Sequence, residues 1–315
     1  MSILNTAAKD GIRETRQEST KSHRKVIFVT GASTGLGLAL AKKLIKNDEF
    51  FLVLTARETS QFRFIDESIF EAKNIWLRDL DIVDHEQISA VINEVNEKLG
   101  GVDVLINNAG ITDRAVVEHS SDLLRQRQLD VNYLAPFELI SQVLSVMRKK
   151  RSGQIINISS AGGFMAMPTM SAYSASKFAL EGATESLWYE MKPWNIHVTL
   201  MIPGFINSEG FSNTSENKKC KKSLENLKGN YHEHYLGMKG LISSQMTSSS
   251  QTNETIAAKI IHTVKRKNPP LRIYVTFDAW LFFFLRKVCP PKLYFRIVYK
   301  FLPNIKKWGK QAHVV

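Results

Sequence analysis

The sequence predicts an α/β fold, a doubly wound parallel sheet of about seven strands with helices on both faces. Three observations predict it. Short, continuous apolar runs alternate with segments of helical periodicity from residue 26 to residue 275, as expected of strands buried on both faces and joined by crossover helices. The first run opens directly into a glycine-rich turn, Gly31-Ala32-Ser33-Thr34-Gly35-Leu36-Gly37, followed by a helical pattern. The chain's polar clusters fall where apolar runs stop, at the carboxyl ends of strands, which is where such sheets hold ligands.

Residues 1–24 are polar and mixed in charge, with Lys9, Arg13 and Arg16 among Asp10, Glu14 and Glu18. They contain no apolar run long enough for a signal peptide, so a flexible arm and a cytoplasmic location are expected. Residues 26–30 (VIFVT) form the first strand. In the turn that follows, backbone N–H groups and a helix N terminus are placed to receive a phosphate. Gly31 would permit the tight turn, Gly35 the close approach of a pyrophosphate, and Gly37 the contact of helix with strand. Taken alone, a glycine-rich turn is also simply a turn. Residues 50–55 and 75–78 are the second and third strands, and residues 84–99 a helix carrying Ile88, Val91, Ile92, Val95 and Leu99 at helical spacing.

The fourth strand, 102–106, ends in Asn107-Asn108-Ala109-Gly110. One long helix covers 122–149, and the fifth strand, 154–158, ends in Ser159-Ser160. A helix over 171–191 leads to the sixth strand, 197–202, closed by Pro203-Gly204. Residues 212–253 turn to Ser, Asn, Lys and Thr and are expected to form a lid loop over a substrate. His232-Glu233-His234 within it has no further ligand in register, and no metal is expected. A helix over 255–264 and a seventh strand over 271–275 complete a catalytic domain spanning 25–276.

With 315 residues the chain suits one such domain plus extensions, and 43% hydrophobic and 23% charged residues suit a sizeable core. Cys220 and Cys289 lie far apart, match no metal or redox spacing, and are expected to stay reduced. The net charge of +12 is concentrated near the C terminus, where twelve Lys and Arg residues follow Val264 against the single acid Asp278. A nearly neutral body disfavours a general nucleic-acid surface and leaves a basic, apolar tail over 277–315.

The most informative stretch is Ser171 to Glu181, SAYSASKFALE, which sets Tyr173 and Lys177 four residues apart on one helix face. An ammonium beside a phenol lowers its pKa toward neutrality, and such a pair can exchange a proton with an alcohol oxygen. An ordinary helix can carry the same two residues, so the surrounding motifs decide. Over roughly residues 25–275 those motifs resemble the short-chain dehydrogenase/reductase family, and they occur in its order.

TGASTGLG looks like that family's cofactor turn, with Gly31, Ser33, Thr34, Gly35, Leu36 and Gly37 as contacts. Asp81 and Ile82 match its adenine-contacting segment, and NNAG the motif around Asn108, Ala109 and Gly110 that stabilises the sheet. Asn132, Ser160, Tyr173 and Lys177 match its catalytic tetrad, while Pro203, Gly204, Ile206 and Ser208 stand at the nicotinamide-side turn. The resemblance implies a Rossmann-type fold and hydride exchange between an alcohol or carbonyl and a nicotinamide. Ser160 would hold the substrate oxygen, Tyr173 would exchange its proton, Lys177 would lower the tyrosine pKa and donate to a ribose, and Asn132 would hold a relay water. Ala135 and Asn207-Ser208 are mild departures from the family pattern.

At the end of the second strand no acid stands ready for a ribose 2′-OH and Arg57 follows at once, so NADP(H) is favoured, with NAD(H) as the alternative. An idle cofactor-binding regulatory protein is the rival reading, although it would have no need of all four tetrad residues. Phe164, Met165, Met167, Met170, Phe205 and Phe211 would face the substrate side, implying a lipophilic substrate such as a steroid, retinoid or long-chain keto compound. The resemblance also implies a homodimer or homotetramer with the Tyr173 helix at its interface. In the tail, Lys292, Arg296 and Lys300 form a basic stripe beside apolar residues, which suits peripheral contact with an anionic membrane through 277–308. Closure of the cleft or of a subunit interface is the competing use of those apolar residues.

Overall fold

A computed structural model describes residues 24–208, 215–216 and 218–309. Phe211, residues 1–23 of the arm expected over 1–24, residues 212–214 and 217 of the expected lid and residues 310–315 of the tail lie outside the described residues. Seven parallel strands form the central sheet: β1 (Lys25–Val29), β2 (Phe50–Ala56), β3 (Ile75–Asp79), β4 (Val104–Asn107), β6 (Gly153–Ile158), β7 (Ile196–Ile202) and β9 (Arg272–Tyr274), ordered β3-β2-β1-β4-β6-β7-β9. The order reverses between β1 and β4, and that switch point leaves a crevice at the carboxyl ends of the strands. Because both faces are covered, alternate residues of one strand enter different cores. Val26 and Phe28 pack with Val53 and Leu105, whereas Ile27 and Val29 pack with Leu52 and Leu54.

The helices α1 (Gly35–Leu44) and α9 (Asn253–Lys265) cover one face, their Leu40, Leu44, Ile256 and Ile260 buried in its core. The other face is covered by α3 (His85–Leu99), α5 (Ala135–Lys150) and α6 (Ser171–Met191), through Ile88, Val95, Leu139, Val143 and Leu187. Asp84 caps α3 by accepting from the N–H groups of Glu86 and Gln87, both at 3.0 Å. A short α2 (Phe62–Asp66) follows β2, and a minor parallel pair joins β5 (Asp113–Arg114) to β8 (Ser215–Glu216).

Three departures from the sequence reading matter for the site. The single helix expected over 122–149 is instead α4 (Asp122–Leu129) and α5, separated by one π turn over Asp130–Leu134 in which the Ala135 N–H donates to the Asp130 carbonyl. An inserted residue of this kind leaves the apolar periodicity on either side intact, so the pattern does not announce it. Second, the loop expected over 212–253 contains α7 (Lys218–Glu225) and α8 (His232–Ser248); Cys220, Tyr235, Met238 and Ile242 supply the buried contacts that sustain helices in so polar a stretch. Third, the C-terminal tail begins as part of the fold. α10 (Phe277–Val288) buries Ala279 and packs Phe282 and Phe283 onto Ala161, Phe164, Leu200 and Ile202, and α11 (Pro291–Phe301) buries Tyr294.

Candidate active site

A cleft of about 1470 Å³ runs along the carboxyl ends of the strands, from the glycine turn after β1 to the N-terminal turn of α6. At the glycine turn the backbone makes the conformational demands that the sequence implied. Gly31 (φ +64°) and Gly35 (φ +51°) are left-handed, and a Cβ on Gly37 would stand 2.0 Å from the Gly31 carbonyl oxygen. Asn108 fastens this turn: its Nδ2 donates to the carbonyls of Thr30 (2.9 Å) and Gly31 (3.1 Å), while Thr30 Oγ1 accepts from the N–H groups of Asn108 and Ala109, both at 3.0 Å. Neighbouring Asn107 Nδ2 donates to Asn157 Oδ1 (2.8 Å), and Asn157 Nδ2 donates to Thr184 Oγ1 (2.9 Å), linking β4, β6 and α6 through the core.

The dinucleotide that the family pattern implies fits these residues. A Cβ built on Gly35 meets nothing within 4 Å, so the turn faces open cleft. Thr34 at the N terminus of α1 makes no side-chain cap, and the first turn carries no acid, which leaves its N–H groups and the positive end of the helix dipole for an anion. Ser33, Leu36, Arg57, Asp81, Ile82, Ala109 and Gly110 line the same cleft. Lys42, Ser60 and Arg63 join Arg57 there, three residues that sequence reasoning missed because they come together only when the segment after β2 meets α1, from which Lys42 projects. Lys42 is paired with Glu67, which also lines this end together with Asp66.

At the other end the structure gathers Asn132, Ser160, Tyr173 and Lys177 around one opening. The π turn carries Asn132 into the interior, where its Oδ1 accepts from the Ile111 N–H (2.9 Å) and its Nδ2 donates to the Ile111 carbonyl (2.9 Å) and Ser176 Oγ (3.0 Å). Both amide hydrogens are thereby committed within the protein. A relay water at this side chain would have to sit on its acceptor side. Ser160 lies just beyond the end of β6, with its Oγ accepting from the Gly162 N–H (3.1 Å). Gly162 lets the Tyr173 ring come close, since a Cβ there would lie 2.9 Å from Tyr173 Cε1.

Burial pushes the Tyr173 phenol above its usual pKa, and interactions with the Ser160 and Thr112 hydroxyls partly oppose the rise. The net direction is therefore upward, against the lowering that the Tyr173–Lys177 spacing implies. Lys177 shares the helix face, but its Nζ donates to the Ile158 carbonyl at 2.9 Å, and burial pushes its own pKa down to about 8, offset in part by Glu181. Glu181, one turn further on, is itself pushed up by burial; it accepts from Ser159 Oγ (2.8 Å) and faces Arg272 Nε at 3.4 Å.

Gly204 and Ser208 line the cleft, but Pro203 and Ile206 do not: the Pro203 carbonyl accepts from the Ala161 N–H (2.8 Å), and Ile206 packs against the core on the α1 side of the sheet. Among the apolar candidates, Met167, Met170 and Phe205 face the opening, joined by Ile242 and Met246 of α8, whereas Phe164 and Met165 are buried under α10. Residues of α8 were missed because a stretch taken for a loop offers no face to assign.

Fold and cleft together define a doubly wound α/β protein whose crevice, at the carboxyl ends of its strands, suits a dinucleotide. The short chain dehydrogenase family model matches residues 25–219. Among its relatives, a 3-ketodihydrosphingosine reductase from Bacteroides thetaiotaomicron is 32% identical over 251 residues, covering 80% of this chain and 87% of that protein. Oxidoreductase BOA17 from Botryotinia fuckeliana is 30% identical over 259 residues, covering 81% and 90%. The solved structure of a short-chain dehydrogenase from Streptomyces avermitilis superposes with a TM-score of 0.73 at 28% identity, covering 90% of this chain and 99% of that one. The chain belongs to the short-chain dehydrogenase family, and it is an oxidoreductase acting on CH–OH groups.

Proposed function

We propose that this protein is an NADP(H)-dependent oxidoreductase that interconverts an alcohol with a ketone or aldehyde on a lipophilic substrate. The observation that carries the reading is the convergence of Ser160, Tyr173 and Lys177 on one opening at the far end of the cleft from the glycine turn. A bound nicotinamide supplies the hydride chemistry. The chain's own residues do the rest. Ser160 and Tyr173 hold the substrate oxygen between two hydroxyls, and Tyr173, kept protonated by burial, donates its proton as negative charge develops on a reduced carbonyl. Lys177, still mostly protonated at neutral pH with a pKa of about 8, stabilises the phenolate that remains and offers its other hydrogens to a ribose.

Arg57, with Arg63 and Lys42 nearby, supports NADP(H) over NAD(H), since cations at this strand end suit a 2′-phosphate and no acid ends β2 itself. Met167, Met170, Phe205, Ile242 and Met246 give the substrate side an apolar wall, while Arg127 and Asp130 give it a polar end, a mixture that suits an amphiphile with an oxygen-bearing head. The similarity to a 3-ketodihydrosphingosine reductase points the same way. Exposed Leu123 on α4, with Phe178 and Tyr189 on α6, supports assembly through that side of the molecule. A panel of long-chain keto compounds and small polar ketones, run with NADPH and with NADH, tests the substrate and cofactor readings together. Turnover of the lipophilic set with NADPH is expected, and preference for the polar set or for NADH would overturn the corresponding half.

A further inference from the structure

The last two helices carry a surface that the reaction does not use. α10 has two sides. Its inner side is built into the fold: Thr276 Oγ1 accepts from the Gly204 N–H and Asp278 Oδ2 from the Phe205 N–H, both at 2.8 Å, while Phe283 meets the Phe164 ring edge-on with centroids 5.6 Å apart. Its outer side is one uncharged stripe. Phe277, Trp280, Phe284, Leu285 and Val288 are all exposed, Phe277 at 72%, and they recur at i, i+3, i+7, i+8 and i+11. Phe277 and Trp280 lie 5.7 Å apart, and Trp280 stacks on Phe284 at 5.5 Å, so the rings form a continuous ladder along the helix.

α11 adds the charge. Tyr294 is buried, which turns Lys292, Arg296 and Lys300 into a row on the side away from the protein. Exposed Leu293, Ile297 and Phe301 flank the row on one side, Phe295 and Tyr299 on the other, with Phe301 at 81%. Arg286 and Lys287 close α10. The single acid of the two helices, Asp278, is turned to the Phe205 N–H.

We propose that this surface docks on an anionic lipid bilayer, with the aromatic stripe of α10 seated among the headgroups and upper acyl chains and the α11 cations on lipid phosphates. Aromatic and aliphatic side chains beside Lys and Arg, with no free acid, are the composition that partitions into such an interface. The helices lie in its plane, since among the described residues none is long and apolar enough to cross a membrane. A second copy of the chain is the wrong occupant, because it would set one cationic row against another without acids between them. Docking places the membrane one helix diameter, about 10 Å, from the Gly204–Phe205 turn that α10 holds. The surface stands independently of the reaction assigned above.

The test uses the full chain, co-sedimented with vesicles of phosphatidylcholine alone or with about 30 mol % phosphatidylserine. Binding to the anionic vesicles is expected, weakening as salt rises. Replacing Trp280→Ser and Phe284→Ser together should lower the partition coefficient about tenfold or more, and Lys292→Glu with Arg296→Glu should remove the preference for anionic lipid. These side chains are exposed, so melting temperatures and circular dichroism should match the wild type in both cases. Failure to bind anionic vesicles at low salt, or equal partitioning of wild type and variants, would overturn the proposal. So would a self-associated species, or a complex with an acidic protein, that the Trp280→Ser/Phe284→Ser pair dissolves in the absence of any vesicle binding.

Discussion

A methyl group at Gly162 tests whether the position of the Tyr173 ring, and not only its presence, sets the rate. The added Cβ would stand 2.9 Å from Tyr173 Cε1 and 3.3 Å from Cδ1. Carbon atoms rest about 3.5–4.0 Å apart, so the ring must retreat by roughly 1 Å. A misplacement of that size costs about 10²-fold in rate, close to 3 kcal/mol of barrier, where reaction depends on near-attack geometry. The fold should tolerate the change: Gly162 is not left-handed, and Ser160 Oγ lies 3.5 Å from the new atom. Overpacking of one methyl costs about 1 kcal/mol, a few degrees in a chain of this size. Steady-state kinetics, NADPH binding by fluorescence and thermal melts on Gly162→Ala separate these effects. We expect kcat to fall about 10²-fold with little change in the NADPH Kd. Gly182→Ala serves as the control, since nothing lies within 4 Å of its added Cβ; it should keep the wild-type rate and stabilise α6 by about 0.5–1 kcal/mol. A folded Gly162→Ala variant with kcat near that of the wild type would refute the reasoning.

Arg57→Glu should reverse the cofactor choice, raising the NADPH KM by about 10- to 100-fold while improving NADH, because a charge-assisted contact to a 2′-phosphate becomes a repulsion. An unchanged NADPH/NADH ratio would remove Arg57 from the argument. Lys177 makes a prediction about stability and pH. Its folded pKa of about 8 lies below the 10.5 of the free side chain, so between those values the unfolded chain binds more protons and stability rises with pH. The rise amounts to about 3 kcal/mol, with the cost of burying the ammonium fully present below pH 8. Denaturant melts across that window should show a slope that Lys177→Met flattens; parallel curves would contradict it.

Much of this architecture was legible because strands buried on both faces write themselves as unbroken apolar runs, as in VIFVT, and each run lay within a residue or two of its strand. The site was legible where chemistry depends on local spacing: the glycine turn, NNAG, and Tyr173 four residues before Lys177. What stayed hidden depends on contacts distant in sequence. The π turn that carries Asn132 inward leaves no trace in periodicity. α8 is held by Tyr235, whose hydroxyl accepts from the Val116 N–H at 3.0 Å, a partner that the composition of 212–253 does not reveal. The direction of the Tyr173 pKa depends on how deeply α6 buries it, and spacing alone suggested the opposite sign. Phe164 and Met165 were assigned to the substrate because α10, which covers them, looked like an appendage.

Removal of the Tyr173 hydroxyl bears most directly on the central claim that this side chain exchanges a proton with the substrate oxygen. Tyr173→Phe deletes one atom and keeps the ring that packs against Gly162. Carbonyl-dependent NADPH oxidation, followed at saturating cofactor on a long-chain keto substrate, should fall by about 10²- to 10⁴-fold while the NADPH Kd stays within about threefold of wild type. Turnover that survives the substitution undiminished would contradict the account.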